Sequence, residues 1–85
     1  MNKPRTIRFA ELRRLLEGLG YQYKRTEDAE VFRISRDRLI YFRRYGDREI
    51  VRGRDLASTR GFLDAWGQLD AAEFDAFLES TTKPA

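Results

Sequence analysis

The 85-residue sequence contains no cysteine and no histidine. Without cysteine the chain can form no disulfide, no thiolate nucleophile and no cysteine-based zinc site. Its uncharged apolar runs are only a few residues long, so neither a signal peptide nor a membrane-spanning segment is expected, and the sequence predicts a cytoplasmic protein. A chain this short is expected to form a single domain over 1–85, with 1–5 and 80–85 frayed.

Sites for small ligands also have little support in the sequence. There is no glycine-rich phosphate-binding loop, because GRDLASTRG, residues 53–61, lacks the lysine–threonine ending that such loops require. Acidic pairs such as Asp28 with Glu30 belong to no metal-binding loop pattern. The sequence therefore predicts neither a cofactor nor a metal ion.

Arginine, by contrast, is abundant and supplies fourteen of the seventeen cationic side chains. Residues 1–60 hold sixteen cationic and nine acidic side chains (net +7), whereas residues 61–85 hold one and five (net −4). The planar guanidinium group pairs with phosphate oxygens and stacks on bases. This segregation is consistent with nucleic-acid binding and equally with an arginine-rich solvated surface.

The first part of the chain predicts one helix followed by strands. An amphipathic helix begins at Thr6 as its N-cap and ends at Gly18 and Gly20. Three segments rich in aromatic and β-branched residues, separated by charged turns, predict consecutive antiparallel strands, with REIV as a fourth strand or an extension. The segments are YQYKRT (21–26), EVFRISR (30–36), RLIYFRRY (38–45) and REIV (48–51).

The acidic end of the chain predicts two further helices. Ser58 or Asp55 is expected to cap the second helix, which ends at Gly67, while Asp70 and Glu73 form the capping box of the third. The predicted fold is therefore α+β, in the order α-β-β-β-α(-α). Its three- to four-stranded antiparallel sheet is covered on one face by helices.

Side-chain alternation sorts each predicted strand into two faces. Ile40 and Phe42 are expected to face the core, and the tyrosine and arginine positions are assigned to the open face, with all four tyrosines placed there. On that face the rings are expected to stack on bases and the cations to hold phosphates. The predicted nucleic-acid-binding residues are Lys24, Arg25, Arg33, Tyr41, Arg43, Arg44, Tyr45 and Arg48.

The segment STRGFLDAWGQLDAAEFDAFL, residues 58–78, resembles the closing segment of HicA-type toxins, small ribonucleases of bacterial toxin–antitoxin pairs. The opening helix FAELRRLLEGLGYQYKR, residues 9–25, is similar to the first helix of that family. The resemblance implies a helix, a three-stranded antiparallel sheet and a helix, akin to double-stranded-RNA-binding domains, with RNA and an antitoxin-like protein as partners. The matching positions are Ser58, Arg60, Phe62, Leu63, Gly67, Glu73 and Phe74.

The sequence departs from that family at the positions of the catalytic histidines. Ala29 stands where the family has its catalytic histidine, and Arg44 stands at the position of a second one. The resemblance therefore implies an RNA-binding module without the usual histidine-dependent mRNA cleavage. Cleavage here would need Glu30 as a base with a raised pKa, and Tyr41 or Tyr45 as an acid whose pKa arginines lower.

Two alternatives to RNA binding remain open from the sequence. In the first, the chain is a protein-interaction domain whose basic sheet face docks an acidic partner. In the second, it is a histidine-independent ribonuclease that uses the acid and base candidates named above. The oligomeric state has no signature in the sequence.

Overall fold

The helices and strands follow one another in the predicted α+β order. The computed structural model describes residues 6–81, which contain three helices and a three-stranded sheet. The segment 48–51, expected as a fourth strand or an extension, forms no strand. Helix α3 continues through Ser80 and Thr81, while 1–5 and 82–85 lie outside the described residues. The elements are α1 (Phe9–Gly18), β1 (Gln22–Arg25), β2 (Ala29–Arg33), β3 (Leu39–Arg43), α2 (Gly53–Ala65) and α3 (Ala71–Thr81).

The described residues divide into two compact units. One unit, residues 8–49, contains α1 and the sheet, and the other, residues 6–7 with 50–81, contains α2 and α3. The expectation of a single domain stays a prediction. Within residues 6–81, none of the helices is long and apolar enough to cross a bilayer.

The sheet has the strand order β1-β2-β3, and both neighbouring pairs are antiparallel. Its register places Tyr23 opposite Phe32 and Phe32 opposite Ile40. Because directly opposed residues share a face, these three side chains lie on one side of the sheet, the inner face. The outer face is formed by the alternate residues Gln22, Lys24, Ala29, Val31, Arg33, Leu39, Tyr41 and Arg43.

Helix α1 covers the inner face with an apolar stripe. Phe9, Leu12 and Leu16 are buried and recur at helical spacing. The ring of Phe9 packs against the rings of Phe32 and Phe42, with centroids 6.1 and 6.5 Å apart. These aromatic contacts between helix and sheet form the core of residues 8–49.

The start of α1 is held by backbone carbonyls of a loop. The helix begins at Phe9, and no side-chain hydrogen bond caps it. The amides of Phe9 and Ala10 donate to the carbonyls of Glu49 and Asp47, at 2.8 and 3.0 Å. The predicted cap at Thr6 is therefore wrong, because these carbonyls already satisfy two of the free amides of the first turn.

The connection between α2 and α3 follows the predicted signals. Gly67 ends α2 with φ of 68°, in the left-handed region that glycine adopts without strain. The Asp70 carboxylate accepts a hydrogen bond from the Glu73 amide at 2.8 Å, and the Glu73 carboxylate accepts one from the Asp70 amide at 3.2 Å. The capping box at the start of α3 is therefore confirmed.

Helix α2 begins earlier than predicted. It starts at Gly53 without a side-chain cap, so the expected cap at Ser58 or Asp55 is wrong, and both residues lie inside the helix. The Arg60 guanidinium forms two hydrogen bonds to the Asp75 carboxylate of α3, at 2.9 and 3.0 Å. Both helices also contribute buried apolar side chains, namely Leu56, Leu63, Phe74 and Leu78.

Candidate nucleic-acid interface

The outer face carries three cationic side chains and no acidic one. Lys24, Arg33 and Arg43 are all exposed. None of the three forms an ion pair with an acidic residue of the described chain. Their charge is not neutralised within residues 6–81, and a surface of this kind attracts anions.

Tyr41 lies among these cations, and its residue surface is 63% exposed. Lys24 and Tyr41 flank Val31 in one cross-strand row, while Arg43 lies two residues farther along the same strand as Tyr41. From the ordinary spacing of strands and residues, the backbone positions of the three cations lie about 7 to 10 Å from that of Tyr41. One aromatic ring is thus surrounded by three positive charges.

A groove on the same face lies next to Tyr41. Its lining residues on the outer face are Gln22, Lys24, Val31 and Arg33, and its volume is about 370 Å³. Because Val31 is the direct cross-strand partner of Tyr41, the groove begins beside the strand that carries the ring. The outer face therefore offers a concave site as well as a flat one.

A second polar cluster lies where β1 and β2 are joined. The Glu30 side chain is fully buried, and its Oε1 atom accepts hydrogen bonds from the Tyr23 hydroxyl and, at 2.9 Å, from Arg25 Nε. Its Oε2 atom accepts from Arg44 Nε at 2.9 Å and from the Tyr45 amide at 3.1 Å. We refer to these residues as the Glu30 cluster. A buried carboxylate is stable here because each oxygen has more than one donor.

The ionisation of this cluster is set by its hydrogen bonds. Burial alone would raise the pKa of the Glu30 carboxyl, but the hydrogen bonds from Tyr23, Arg25 and the Tyr45 amide outweigh burial and hold that pKa below its usual range. Burial and the hydrogen bond to Glu30 raise the pKa of the Tyr23 hydroxyl. At neutral pH Glu30 is therefore an ionised carboxylate and Tyr23 a neutral donor.

Four of the eight predicted binding residues come together on the outer face, and the other four lie elsewhere. Arg25 and Arg44 are engaged by Glu30, and the Nη1 of Arg44 also donates to the Thr26 carbonyl at 3.2 Å. Arg48 is exposed in the loop that follows β3, outside the sheet. The four that come together are Lys24, Arg33, Tyr41 and Arg43.

The tyrosines divide between the two faces, so the prediction that all four point outward is wrong. Tyr41 is on the outer face, whereas Tyr23 lies on the inner face and Tyr21 is only 3% exposed. The buried ring of Tyr45 stacks on Phe9, with centroids 5.1 Å and planes 5° apart. The alternation of β3 does not extend to Tyr45, because the strand ends two residues earlier.

The three acid–base candidates are not brought together as a catalytic group. Glu30 is buried and its pKa is lowered, which is the opposite of what a general base at neutral pH requires. Tyr41 lies on the opposite face of the sheet from Glu30, and the Tyr45 ring is buried against α1. Only the backbone amide of Tyr45, not its hydroxyl, donates to the Glu30 carboxylate.

Sequence reasoning misses one residue of the site, Gln22, and assigns another, Tyr23, to the wrong face of the sheet. Gln22 shares the outer face and lines the groove. Tyr23 supports the Glu30 cluster, and the Arg13 guanidinium lies 4.1 Å above the centre of its ring. The alternation in β1 contained the signal, because Gln22 and Lys24 alternate with Tyr23 and only the apolar ring suits the core.

Within residues 6–81, no three or more acidic side chains are grouped so that they could hold a metal ion. The sequence matches no protein-family model, and no match was found among curated proteins or among solved structures.

Proposed function

We propose that the protein is an RNA-binding module and that the outer face of its sheet is the binding surface. The observation that carries the proposal is the exposed Tyr41 ring among three cations that no described acidic side chain neutralises. The cations Lys24, Arg33 and Arg43 hold phosphate groups, and the ring stacks on a base. The ring and the cations together favour a nucleic acid over a simple anion.

The geometry supports binding rather than cleavage. A ribonuclease without histidine needs a base and an acid on the two sides of one phosphate. Glu30 is enclosed and held as a carboxylate by its donors, and Tyr41 projects from the other face of the sheet. The proposed activity is therefore the retention of RNA without hydrolysis.

The resemblance to HicA-type toxins provides a lineage for this proposal. In that lineage the chain descends from a HicA-type toxin and has a fold like that of double-stranded-RNA-binding domains. It acts in the cytoplasm and binds an antitoxin-like protein. The α-β-β-β-α order of the elements is compatible with the family arrangement. The chain has no histidine, which fits a module that retains RNA binding but has lost the histidine-dependent RNA cleavage of the family.

A charge-reversal pair tests the proposal. Replacing Arg33 and Arg43 together by Glu is expected to weaken binding to a fluorescently labelled RNA by at least about tenfold at low salt. The matched control is Arg14→Glu with Arg54→Glu, which changes the net charge equally at exposed helical arginines. Fluorescence anisotropy measures binding, and circular dichroism shows whether each variant is folded.

The control also separates the proposal from its main rival. If both pairs weaken binding equally, the attraction is a property of net charge and the outer face is not the site. If polyglutamate competes with RNA for the wild type at equal charge concentration, the surface is a docking face for an acidic protein instead. Tight RNA binding by the Arg33, Arg43 variant would contradict the proposal directly.

A further inference from the structure

On the basis of the proposed RNA-binding function, we propose that the groove beside Tyr41 is a subsite for one unpaired base and that Gln22 recognises the edge of that base. The ligand class is therefore single-stranded RNA, with one base stacked on Tyr41 and another in the groove. Gln22 would be the residue that determines base preference.

The size of the groove is suited to a single base. Its volume of about 370 Å³ falls at the lower end of the range of about 300 to 1,000 Å³ typical of small-molecule sites. Val31 supplies an apolar, half-buried surface against which a flat ring can lie. Lys24 and Arg33 line the same groove, so the phosphate on the ribose of that nucleotide meets positive charge.

Gln22 has the chemistry for reading a base. Its amide offers both a donor and an acceptor, and no residue of the described chain hydrogen bonds to this side chain. It carries no charge and cannot neutralise a phosphate. A free amide at the wall of a groove flanked by cations therefore suits the edge of a base, which also presents both donors and acceptors.

Stacking on the Tyr41 ring and recognition by Gln22 both require that the RNA bases be unpaired. A base within an RNA duplex is stacked on both sides and presents its Watson–Crick edge to its partner, so neither Tyr41 nor Gln22 can engage it. Val31, which lines the groove, is the direct cross-strand partner of Tyr41. Two adjacent unpaired nucleotides can consequently occupy both places at once.

The test compares single-stranded RNA oligomers, about eight nucleotides long and each of one base type, with a duplex of the same length. The wild type is expected to bind one base type about fivefold or more tightly than the others. Gln22→Ala should remove that preference and leave the salt dependence unchanged. Gln68→Ala, at the other glutamine of the chain, is the control and should retain the preference.

The outcomes distinguish the two proposals. Salt-dependent binding with the same base ratios in wild type and Gln22→Ala, or equal binding of single strand and duplex, would overturn the base subsite while RNA binding stands. Binding of the duplex alone would likewise overturn only the subsite. Failure of the wild type to bind either the single strands or the duplex would contradict the proposed function, and the subsite with it. A preference abolished by Gln22→Ala and kept by Gln68→Ala supports both.

Discussion

Glu30 Oε2 accepts a hydrogen bond of 2.9 Å from Arg44 Nε, although fourteen positions separate the two residues in the chain. The other oxygen of the same carboxylate accepts from Arg25 Nε, also at 2.9 Å. Arg25 ends β1, Glu30 belongs to β2, and Arg44 directly follows β3. A single carboxylate therefore connects all three strands at one end of the sheet.

Removing the charge of Glu30 is expected to destabilise the protein. Glu30→Gln keeps the shape of the side chain but turns one acceptor oxygen into an NH2 donor facing the guanidinium groups. Because both arginines are partly exposed, the expected loss in free energy of unfolding is about 2 to 3 kcal/mol, below the loss for a fully buried pair. Urea denaturation measures it.

The matched control for this variant is Glu27→Gln. Glu27 is an exposed glutamate of the adjacent turn, and its replacement should change the free energy of unfolding by less than about 0.5 kcal/mol. Equal losses in free energy of unfolding for the two variants would show that the Glu30 carboxylate stabilises the fold no more than an exposed carboxylate does.

Acid should destabilise the wild type more than the Glu30→Gln variant. The folded-state pKa of Glu30 lies below its value in the unfolded chain, near 4.5. The unfolded chain therefore binds the proton more readily, and the stabilisation is complete above about pH 4.5 and is lost as the pH falls through the folded-state pKa. Urea denaturation between about pH 6 and pH 3 should show a steeper decline for the wild type. Parallel curves would contradict the assignment.

Replacing Tyr45 or Tyr41, which lie four residues apart, should have opposite effects on stability and on RNA binding. Tyr45→Ala removes a buried ring that stacks on Phe9, so the expected loss in free energy of unfolding is about 3 kcal/mol or more. Tyr41→Ala removes an exposed ring and should change stability by less than about 0.5 kcal/mol. The same variant should weaken RNA binding by about 1 to 3 kcal/mol, the value of one stacked base.

Thermal or urea unfolding and fluorescence anisotropy together check this pair. A stable Tyr45→Ala variant would indicate that the Tyr45 ring is not part of the core. Unchanged RNA affinity of Tyr41→Ala would remove the stacking platform from the proposed site.

The capping box of α3 gives a prediction about stability alone. Asp70→Ala removes the side-chain acceptor of the Glu73 amide and should lower the free energy of unfolding by about 1 kcal/mol. Asp70→Asn can still accept that hydrogen bond and should retain most of the stability. RNA affinity should be unchanged in both variants, and a change would indicate that α3 belongs to the binding surface.

The salt dependence of RNA binding should report how many cations are involved. If Lys24, Arg33 and Arg43 each neutralise one phosphate of a single strand, the logarithm of the association constant should fall against the logarithm of salt concentration with a slope of about −2. Arg43→Gln should reduce the magnitude of that slope by about 0.7. A slope near zero would exclude phosphate contacts as the source of binding.

Local signals in the sequence were sufficient for much of this fold. The capping box at Asp70 and Glu73 and the terminating Gly67 act within a few residues, so the sequence alone predicts them. The alternation of β3 likewise places Ile40 inside and Tyr41 outside, as observed. The sequence does not predict the starts of α1 and α2. At α1 the reason is that the free amides are satisfied by carbonyls distant in sequence.

The Glu30 cluster could be predicted only in part. Alternation from Phe32 back along β2 places Glu30 on the core side, and the same parity places Arg44 there. What the sequence does not contain is the register that brings Arg25, Glu30 and Arg44 to one point. Without that register, the sequence groups the two arginines with the exposed cations and presents the carboxylate as a candidate base instead of their partner.

Strands β1 and β3 are the edge strands of the sheet. Neither β1 nor β3 has a second neighbour within residues 6–81, so each presents backbone groups that another extended chain could pair with. Lys24 and Arg43 are carried on these strands, and equal charges on two copies of the molecule repel each other when the strands approach. The cations that would attract a polyanion thus also oppose the growth of the sheet into a filament.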